Sequence, residues 1–520
     1  MWEIPADGPE NDGATLNSPE IPLIAEADAR FRVGTLRYTK ASLAAVFIWL
    51  LWGDFVFTLM EAVAPSIVPL RLKDLGLSDF LLPIVMASIP NTINTLLNPI
   101  ISTASDRHRG RLGRRIPFLL FSAPFICGAL VLMAFSTEIG VWLHGRVGPL
   151  TGWSAGAVAI LTVAVLWIVF TVLNMFATTV YYYFFNDVVP AALMSRFFGL
   201  FRLVGSLGTM LWYRLFFPHA LTHMKLIFLG AAAVYFVGFL SMCLGIKEGE
   251  YPPAPLLGEG FWRKLRTYAK ECLSHRLYIC MFVHNIFWSV SSACATFTVF
   301  LQRDSLGLNL GQIGAIAAAV SGVQMVLSYP AGMLADRFHP MRVMVWIKFG
   351  LVAIVPLNFI WLFGNFPPRT AYYILFGLAA VELPLGLLFD TARQPMQMRV
   401  WPKSRYGQFC SFNAVVQAAC SIVASMTAGF FMTAMRWRFP DALYGKDYCY
   451  RMIPAWRLPF LCVALGFLLL MYREWKRLGG LEHYKVPGFE HEAKEEAATA
   501  EGTAAEPAPA EQASCRTPDG

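Results

Sequence analysis

An all-α membrane protein of twelve transmembrane helices is the fold class that the sequence predicts, on three observations. Of its 520 residues, 56% are hydrophobic and only 15% are charged, and the mean hydropathy is +0.52, more apolar than a soluble domain of this size sustains. The apolar residues fall into blocks of roughly 20, the length that crosses about 30 Å of hydrocarbon at about 1.5 Å per residue. Lysine and arginine gather in short loops between alternate blocks, where they orient a multi-pass chain.

The blocks run over 41–65, 79–104, 116–136, 155–185, 197–217, 225–246, 276–301, 310–335, 341–364, 371–391, 407–433 and 457–472. Each is expected to be a helix, because an open sheet edge leaves backbone polar groups unsatisfied in lipid. The chain starts without a basic segment and short apolar run, carrying Glu3, Asp7, Glu10, Asp12 and Glu20 instead, so no cleavable signal peptide is expected. Arg30, Arg32, Arg37 and Lys40 precede the first block and Arg473, Lys476 and Arg477 follow the last. Both termini are therefore expected in the cytoplasm of a plasma or bacterial inner membrane. The net charge of +8 reads as topology, with no nucleic-acid partner. Most of the ten cysteines lie inside apolar blocks without ligand spacing, which indicates packing and neither a disulfide framework nor a zinc site. No cofactor is indicated, and a monomer is expected.

A polar segment at 247–275 divides the chain. It opens with Pro252, Pro253 and Pro255, and then Phe261, Trp262, Leu265, Tyr268 and Ala269 recur at helical spacing beside Arg263, Lys264, Arg266 and Lys270, which predicts an amphipathic helix on the cytoplasmic surface. The expected organisation is a cytoplasmic segment over 1–40, a six-helix bundle over 41–246, the central loop, a second bundle over 276–475 and a cytoplasmic tail over 476–520. Beyond about residue 485 the tail is rich in Glu, Ala and Pro and is expected to be disordered. Two echoes link the halves: Ser105, Asp106, Arg107 with Ala335, Asp336, Arg337, and Asp187, Ser195, Arg196 with Asp390, Ser404, Arg405. Two matches in the same order predict a six-plus-six repeat.

The loop after the second block reads Ser105, Asp106, Arg107, His108, Arg109, Gly110, Arg111, Leu112, Gly113, Arg114, Arg115, Ile116, Pro117, Phe118. Its cations set topology, and an acid held between a helix end and a row of arginines also suits an ion-pair latch. Asp106, Arg107, Arg111, Arg114, Arg115 and Asp187, with Asp336 and Arg337 in the second half, are the latch candidates. This motif and its weaker repeat, Gly332 to Arg337, resemble the signature of the major facilitator superfamily. Within it, Arg109 to Phe118 resembles the glycoside-pentoside-hexuronide:cation symporters, and Ser105 to Phe118 also resembles the sucrose:proton symporters. The resemblance implies a major facilitator fold and alternating access by a sugar-binding, cation-coupled carrier. Sodium-binding members carry an acidic pair on the second helix; the corresponding positions before Pro99 and Ile100 are Asn94 and Asn98, and an acid on the fourth helix corresponds to Tyr182. Neutral amides cannot supply the charge that helps hold sodium, so a proton is the expected coupling ion.

An ionisable group at a helix centre costs roughly 2.5 to 3.5 kcal/mol on insertion scales. Asp54, Thr58 and Glu61 share one face of the first helix, and Asp54 between Gly53 and Phe55 resembles the sugar-binding Asp of the first family. Asp54 either binds solute or proton, or pairs with a neighbouring helix; Pro65 and Pro69 place Glu61 near the membrane edge. Further faces present Asn91, Asn94 and Asn98; Thr171, Asn174, Thr178 and Tyr182; and Arg202, Ser206 and Thr209. The second half offers His284, Asn285 and Trp288, then Gln324, Glu382, Asn413 and Gln417. Ser and Thr alone serve interhelical packing, whereas repeated amides beside Trp288 and Tyr182 suit a sugar's hydroxyls and ring. The substrate-site set is thus Asp54, Thr58, Asn94, Asn98, Asn174, Tyr182, Arg202, His284, Trp288, Gln324, Asn413 and Gln417, with Asp54, Glu61 and Glu382 as coupling candidates. Arg202 needs a carboxylate or an anionic solute in reach, with Asp54 or Asp187 as the protein partner, unless it snorkels to the surface. Proton-coupled symport of a small polar solute, a sugar or glycoside, is the expected function. A uniporter or exporter, or a membrane sensor, is the alternative. No phosphate loop, metal-spaced cluster or nucleophile elbow points to an enzyme.

Overall fold

The computed structural model describes residues 31–33, 35–110, 112–190, 193–249, 269–402, 405–484, 486 and 487. The amphipathic helix expected around Phe261 to Tyr268, the disordered tail beyond 487, Ser404 and the latch candidate Arg111 lie outside the described residues, as do the side chains of Ser195 and Asp336.

Twelve long helices follow one another: α1 Lys40–Asp74, α2 Leu81–Arg107, α3 Ile116–Ala134, α4 Ala155–Val188, α5 Met194–Leu211, α6 Met224–Gly245, α7 Arg276–Ser305, α8 Leu310–Phe338, α9 Pro340–Phe363, α10 Pro368–Val400, α11 Tyr406–Arg438 and α12 Tyr448–Arg477. Eleven are long and apolar enough to cross a membrane by themselves; α5, which carries Arg196 and Arg202, depends on its neighbours. Thr39 starts α1 by accepting from the Ser42 backbone N–H while Ser42 caps in return, a reciprocal arrangement that satisfies donors at the helix start.

Several elements outrun their apolar blocks. α1 continues through Pro65 and Pro69 to Asp74, so Glu61 lies well inside the helix. Ser66 Oγ, which donates to the Ala62 carbonyl at 2.7 Å and accepts from Trp212 Nε1 at 3.2 Å, ties this stretch to α5, the kind of neighbouring support that lets a membrane helix tolerate proline. α10 runs to Val400, which places Asp390 inside the helix. Asp187, its counterpart in the second echo, stands one residue from the end of α4 at Val188, so the two echoed acids sit at different depths in their helices. A helix also forms at Ser136–Thr151, where a loop is expected, and lies against α4.

Packing repeats with a shift of six. α1 packs on α5 and α6 as α7 does on α11 and α12; α4 packs on α2 and α3 as α10 does on α8 and α9; α3 meets α6 as α9 meets α12. The halves join through two matching seams, α2 on α11 and α5 on α8. Wide π-type turns at Ile84–Ser88 and Trp212–Phe216 sit on these seams, against α11 and α8 respectively.

Both seams close at the end away from the basic loops. There a Cβ on Gly429 would meet the Phe80 carbonyl, so glycine lets α11 touch the start of α2. Asp79 accepts from Lys73, from Arg436 Nε at 2.7 Å and from Tyr450 Oη at 2.6 Å, while Arg303 donates to Asp74 at 2.9 Å. Burial alone would raise the Asp79 carboxyl, but the hydrogen bonds and charges of Lys73, Tyr450 and Arg436 outweigh it and hold the group below the usual aspartate value. Further in, Ser88 Oγ donates to the Ile422 carbonyl at 3.2 Å and Asn91 Nδ2 to Ser421 Oγ at 2.9 Å. Towards the basic loops α5 and α8 leave Leu200, Leu203, Tyr329 and Met333 exposed, so the interface opens as a cleft.

Candidate functional site

Two adjoining polar spaces lie at the top of this cleft. The first, about 220 Å³, is lined by Asp54, Thr58 and Glu61 of α1, Tyr182 of α4, Arg202, Ser206 and Thr209 of α5, and Ser321 and Gln324 of α8. The second, about 380 Å³, shares Glu61 and Tyr182 and adds Asn91, Asn94 and Asn98 of α2 with Asn174 and Thr178 of α4. Small residues permit this approach: a Cβ on Gly53 would collide with Met242, and one on Gly205 would stand 3.6 Å from both Asp54 Oδ2 and Thr58 Oγ1.

Hydrogen bonding within the site is sparse. Thr58 Oγ1 donates to Asp54 Oδ1 at 3.5 Å, a long contact, and Asp54 Oδ2 has no partner although the residue is only 1% exposed. Asn174 Nδ2 donates to Glu61 at 3.2 Å, and Thr179 Oγ1 to Asn98 Oδ1 at 3.2 Å. Neither carboxylate forms an ion pair among the described residues. Arg202 lines the same space without an ion pair among the described residues, so the expected partnership with Asp54 is not made, and Asp187 is engaged elsewhere.

The second-half candidates divide into two groups. Glu382 forms an ion pair with Arg457 beside a separate space of about 260 Å³. His284 is fully buried and donates through Nδ1 to the Ala464 carbonyl at 2.8 Å, leaving Nε2 without a partner; Asn285 Nδ2 donates to Asn413 Oδ1 at 3.2 Å. Trp288 faces Lys348, whose Nζ stands 3.6 Å from its ring centroid and 3.7 Å from that of Phe389. Gln417 is half-buried on α11 and lines neither of the two joined spaces. His284, Trp288, Asn413 and Gln417 are thus not gathered with Asp54 in this conformation.

Lys348 is absent from the sequence reading, as is the whole closed-end network of Lys73, Asp79, Arg436 and Tyr450. The signal for Lys348 was present: a lone lysine between Ile347 and Phe349 inside an apolar block meets the same criterion that selects Asp54. Charges at helix ends carry no such mark, because topology alone places cations there.

At the basic-loop end, Arg114 donates to Asp187 through Nε at 2.7 Å, and Arg115 donates to Asp187 at 3.2 Å and to Asp106. Glu248, just beyond α6, accepts from the backbone N–H groups of Arg115 at 2.8 Å and Ile116 at 3.1 Å. A carboxylate thereby caps α3, where the helix dipole favours it. Arg107 and Arg337 are exposed and enter no ion pair among the described residues.

No protein-family model and no curated protein matches the sequence. Solved structures do resemble the fold. A bacterial homologue of the human lysosomal transporter Spinster, in an inward-facing, unoccupied conformation, gives a TM-score of 0.62 at 13% identity over 87% of this chain and 100% of that one. A bacterial homologue of the iron transporter ferroportin in its inward-facing state gives 0.59 at 12% identity, over 82% and 99%. A D-xylose–proton symporter gives 0.53 at 14% identity, over 83% and 97%. The architecture is the twelve-helix major facilitator fold.

Proposed function

We propose that the chain is a secondary active transporter that carries a small polar solute, a sugar or glycoside, together with a proton, by rocking its two six-helix halves about the cavity at Asp54. The observation that carries this reading is the pair Asp54 and Glu61, two carboxylates set in one polar space between the halves and, although Arg202 lines that space too, held in no ion pair among the described residues. Buried carboxylates in that setting ask for a proton or a solute donor. The amides of Asn94, Asn98 and Asn174, with the Tyr182 ring, supply the mixed donors, acceptors and flat surface that a sugar uses. A D-xylose–proton symporter with the same fold supports the choice of ion and solute class. The gathering of cations in the loops at the open end supports placing that end at the cytoplasm of a cell membrane, in an inward-facing conformation.

A second reading, an uncoupled carrier, is favoured by Asn94 and Asn98 standing where sodium-coupled relatives by resemblance have carboxylates. Reconstitution into proteoliposomes separates the two. An inward proton gradient is expected to accumulate one or more members of a neutral mono- and disaccharide panel, and a sodium gradient at constant pH to accumulate none. Equilibration without accumulation under either gradient would favour the uncoupled carrier.

A further inference from the structure

We propose that Lys348 and Asp390 form a second coupling pair, in which a proton bound to the Asp390 carboxylate displaces the lysine ammonium into an aromatic box made by Trp288 and Phe389. This inference rests on the proton-symport reading above and deepens it.

Lys348 has no exposed surface, and its Nζ has no hydrogen-bond partner. An ammonium carries three donors, and a buried charge without acceptors is costly. What surrounds it is two ring faces at 3.6 and 3.7 Å, a geometry in which the ring quadrupoles replace part of the lost hydration. The rings come from different helices, Trp288 from α7 and Phe389 from α10, so the box exists only while those helices hold this arrangement. Asp390 follows Phe389 directly in the chain and is exposed. Lys348 and Asp390 lie within each other's field, yet no ion pair joins them among the described residues.

The remaining groups leave Asp390 as the partner. From α7, His284 faces Lys348 with Nδ1 already committed to the Ala464 carbonyl. From α12, Arg457 repels it and is itself paired with Glu382. Arg393 of α10 adds a like charge. Among the described residues Asp390 is the anion whose charge bears on Lys348, and the flexible lysine stem allows the head group to swing between carboxylate and rings.

Charge balances at each step. With Asp390 ionised, the carboxylate holds the ammonium as an ion pair. A proton taken up from the outer side forms the neutral carboxyl, the ion pair breaks, and the ammonium keeps its charge and enters the box. Once the cleft opens to the cytoplasm, Asp390 releases the proton to water and recaptures the lysine. The conformation seen here is the loaded one, just before release.

The test uses the full-length protein in proteoliposomes, with whichever members of the neutral mono- and disaccharide panel the wild type accumulates under an inward proton gradient. Asp390→Asn and Lys348→Met are each expected to lower that accumulation at least tenfold while still exchanging labelled for unlabelled sugar across the membrane. Lys348→Arg, which keeps a cation, is expected to restore accumulation to within about threefold of wild type. Accumulation at the wild-type level in Lys348→Met or Asp390→Asn would overturn the proposal, leaving a packing role. Loss of accumulation in Lys348→Arg with exchange intact would also overturn it, by moving the proton from Asp390 to the lysine amine. If the neutral variants misfold, Lys348→Arg and Asp390→Glu preserve the charges and carry the test: retained accumulation in both supports the switch, and its loss in a folded protein rejects it. A wild type that accumulates none of the sugars under the proton gradient would refute the parent reading instead.

Discussion

Asp54 combines three properties that rarely coincide in a membrane helix: a carboxylate, nearly complete burial and an oxygen without a partner. Replacing it by asparagine preserves size and hydrogen-bonding reach while removing the ability to titrate. Asp54→Asn is therefore expected to abolish proton-driven accumulation and to leave solute exchange within a few-fold of wild type, measured as uptake with and without a pH gradient. Accumulation at the wild-type level would remove Asp54 from the mechanism. Such residues are legible in a sequence because an ionisable group within an apolar block stands out in one dimension. Their partners are not, since pairing depends on helix rotation and on the separation of the two halves. Arg202 illustrates this: it does line the cavity beside Asp54 but forms no ion pair with it among the described residues.

Among the elements, hydropathy located the helices and misjudged their ends. An apolar block measures the thickness of hydrocarbon, whereas a helix continues for as long as its backbone bonds to itself, so α1 passes two prolines and α10 extends well beyond its apolar stretch. The latch depends on those polar extensions: the end of α2, the start of α3 and the end of α4 meet through Asp106, Arg115, Arg114 and Asp187, with Glu248 capping α3. Asp106 is partly exposed, so its pair contributes about 1 kcal/mol or less, and Asp106→Asn is expected to slow transport up to about fivefold with the protein still folded in the membrane. Glu248→Ala removes a cap worth about 1 kcal/mol and is expected to lower the thermal unfolding midpoint of the purified protein as well as the transport rate. Unchanged rates in both variants would reduce the latch to a topological signal.

Across the whole molecule, the six-shifted packing pattern makes the two seams equivalent, and the charges at the closed end decide which way the cleft faces. Asp79 is the centre of that end. It is almost fully buried and receives Lys73 from its own half, with Arg436 and Tyr450 from the other. Removing the Asp79 charge leaves Lys73 without its carboxylate, while Arg436 keeps Asp447 at 2.7 Å and Asp441 at 3.2 Å; losing one partner of a buried pair costs at most roughly 3–5 kcal/mol, enough to shift the two-state balance toward opening at this end. A reporter is already in place, because Cys449 is fully buried beside Tyr450. In wild type it is expected to resist a membrane-impermeant maleimide, and in Asp79→Asn to react, as read by mass spectrometry of the peptide around residue 449. Acidity should have little effect on the wild type. The Asp79 carboxyl sits below its usual value in the closed state, so closure is at full strength above the ordinary aspartate pKa of about 3.9 and weakens only as pH falls below it. Labelling of wild-type Cys449 should accordingly stay low from about pH 7 to about pH 5. Protection of Cys449 in Asp79→Asn, with transport unimpaired, would show that the apolar seams close this end without the charge cluster.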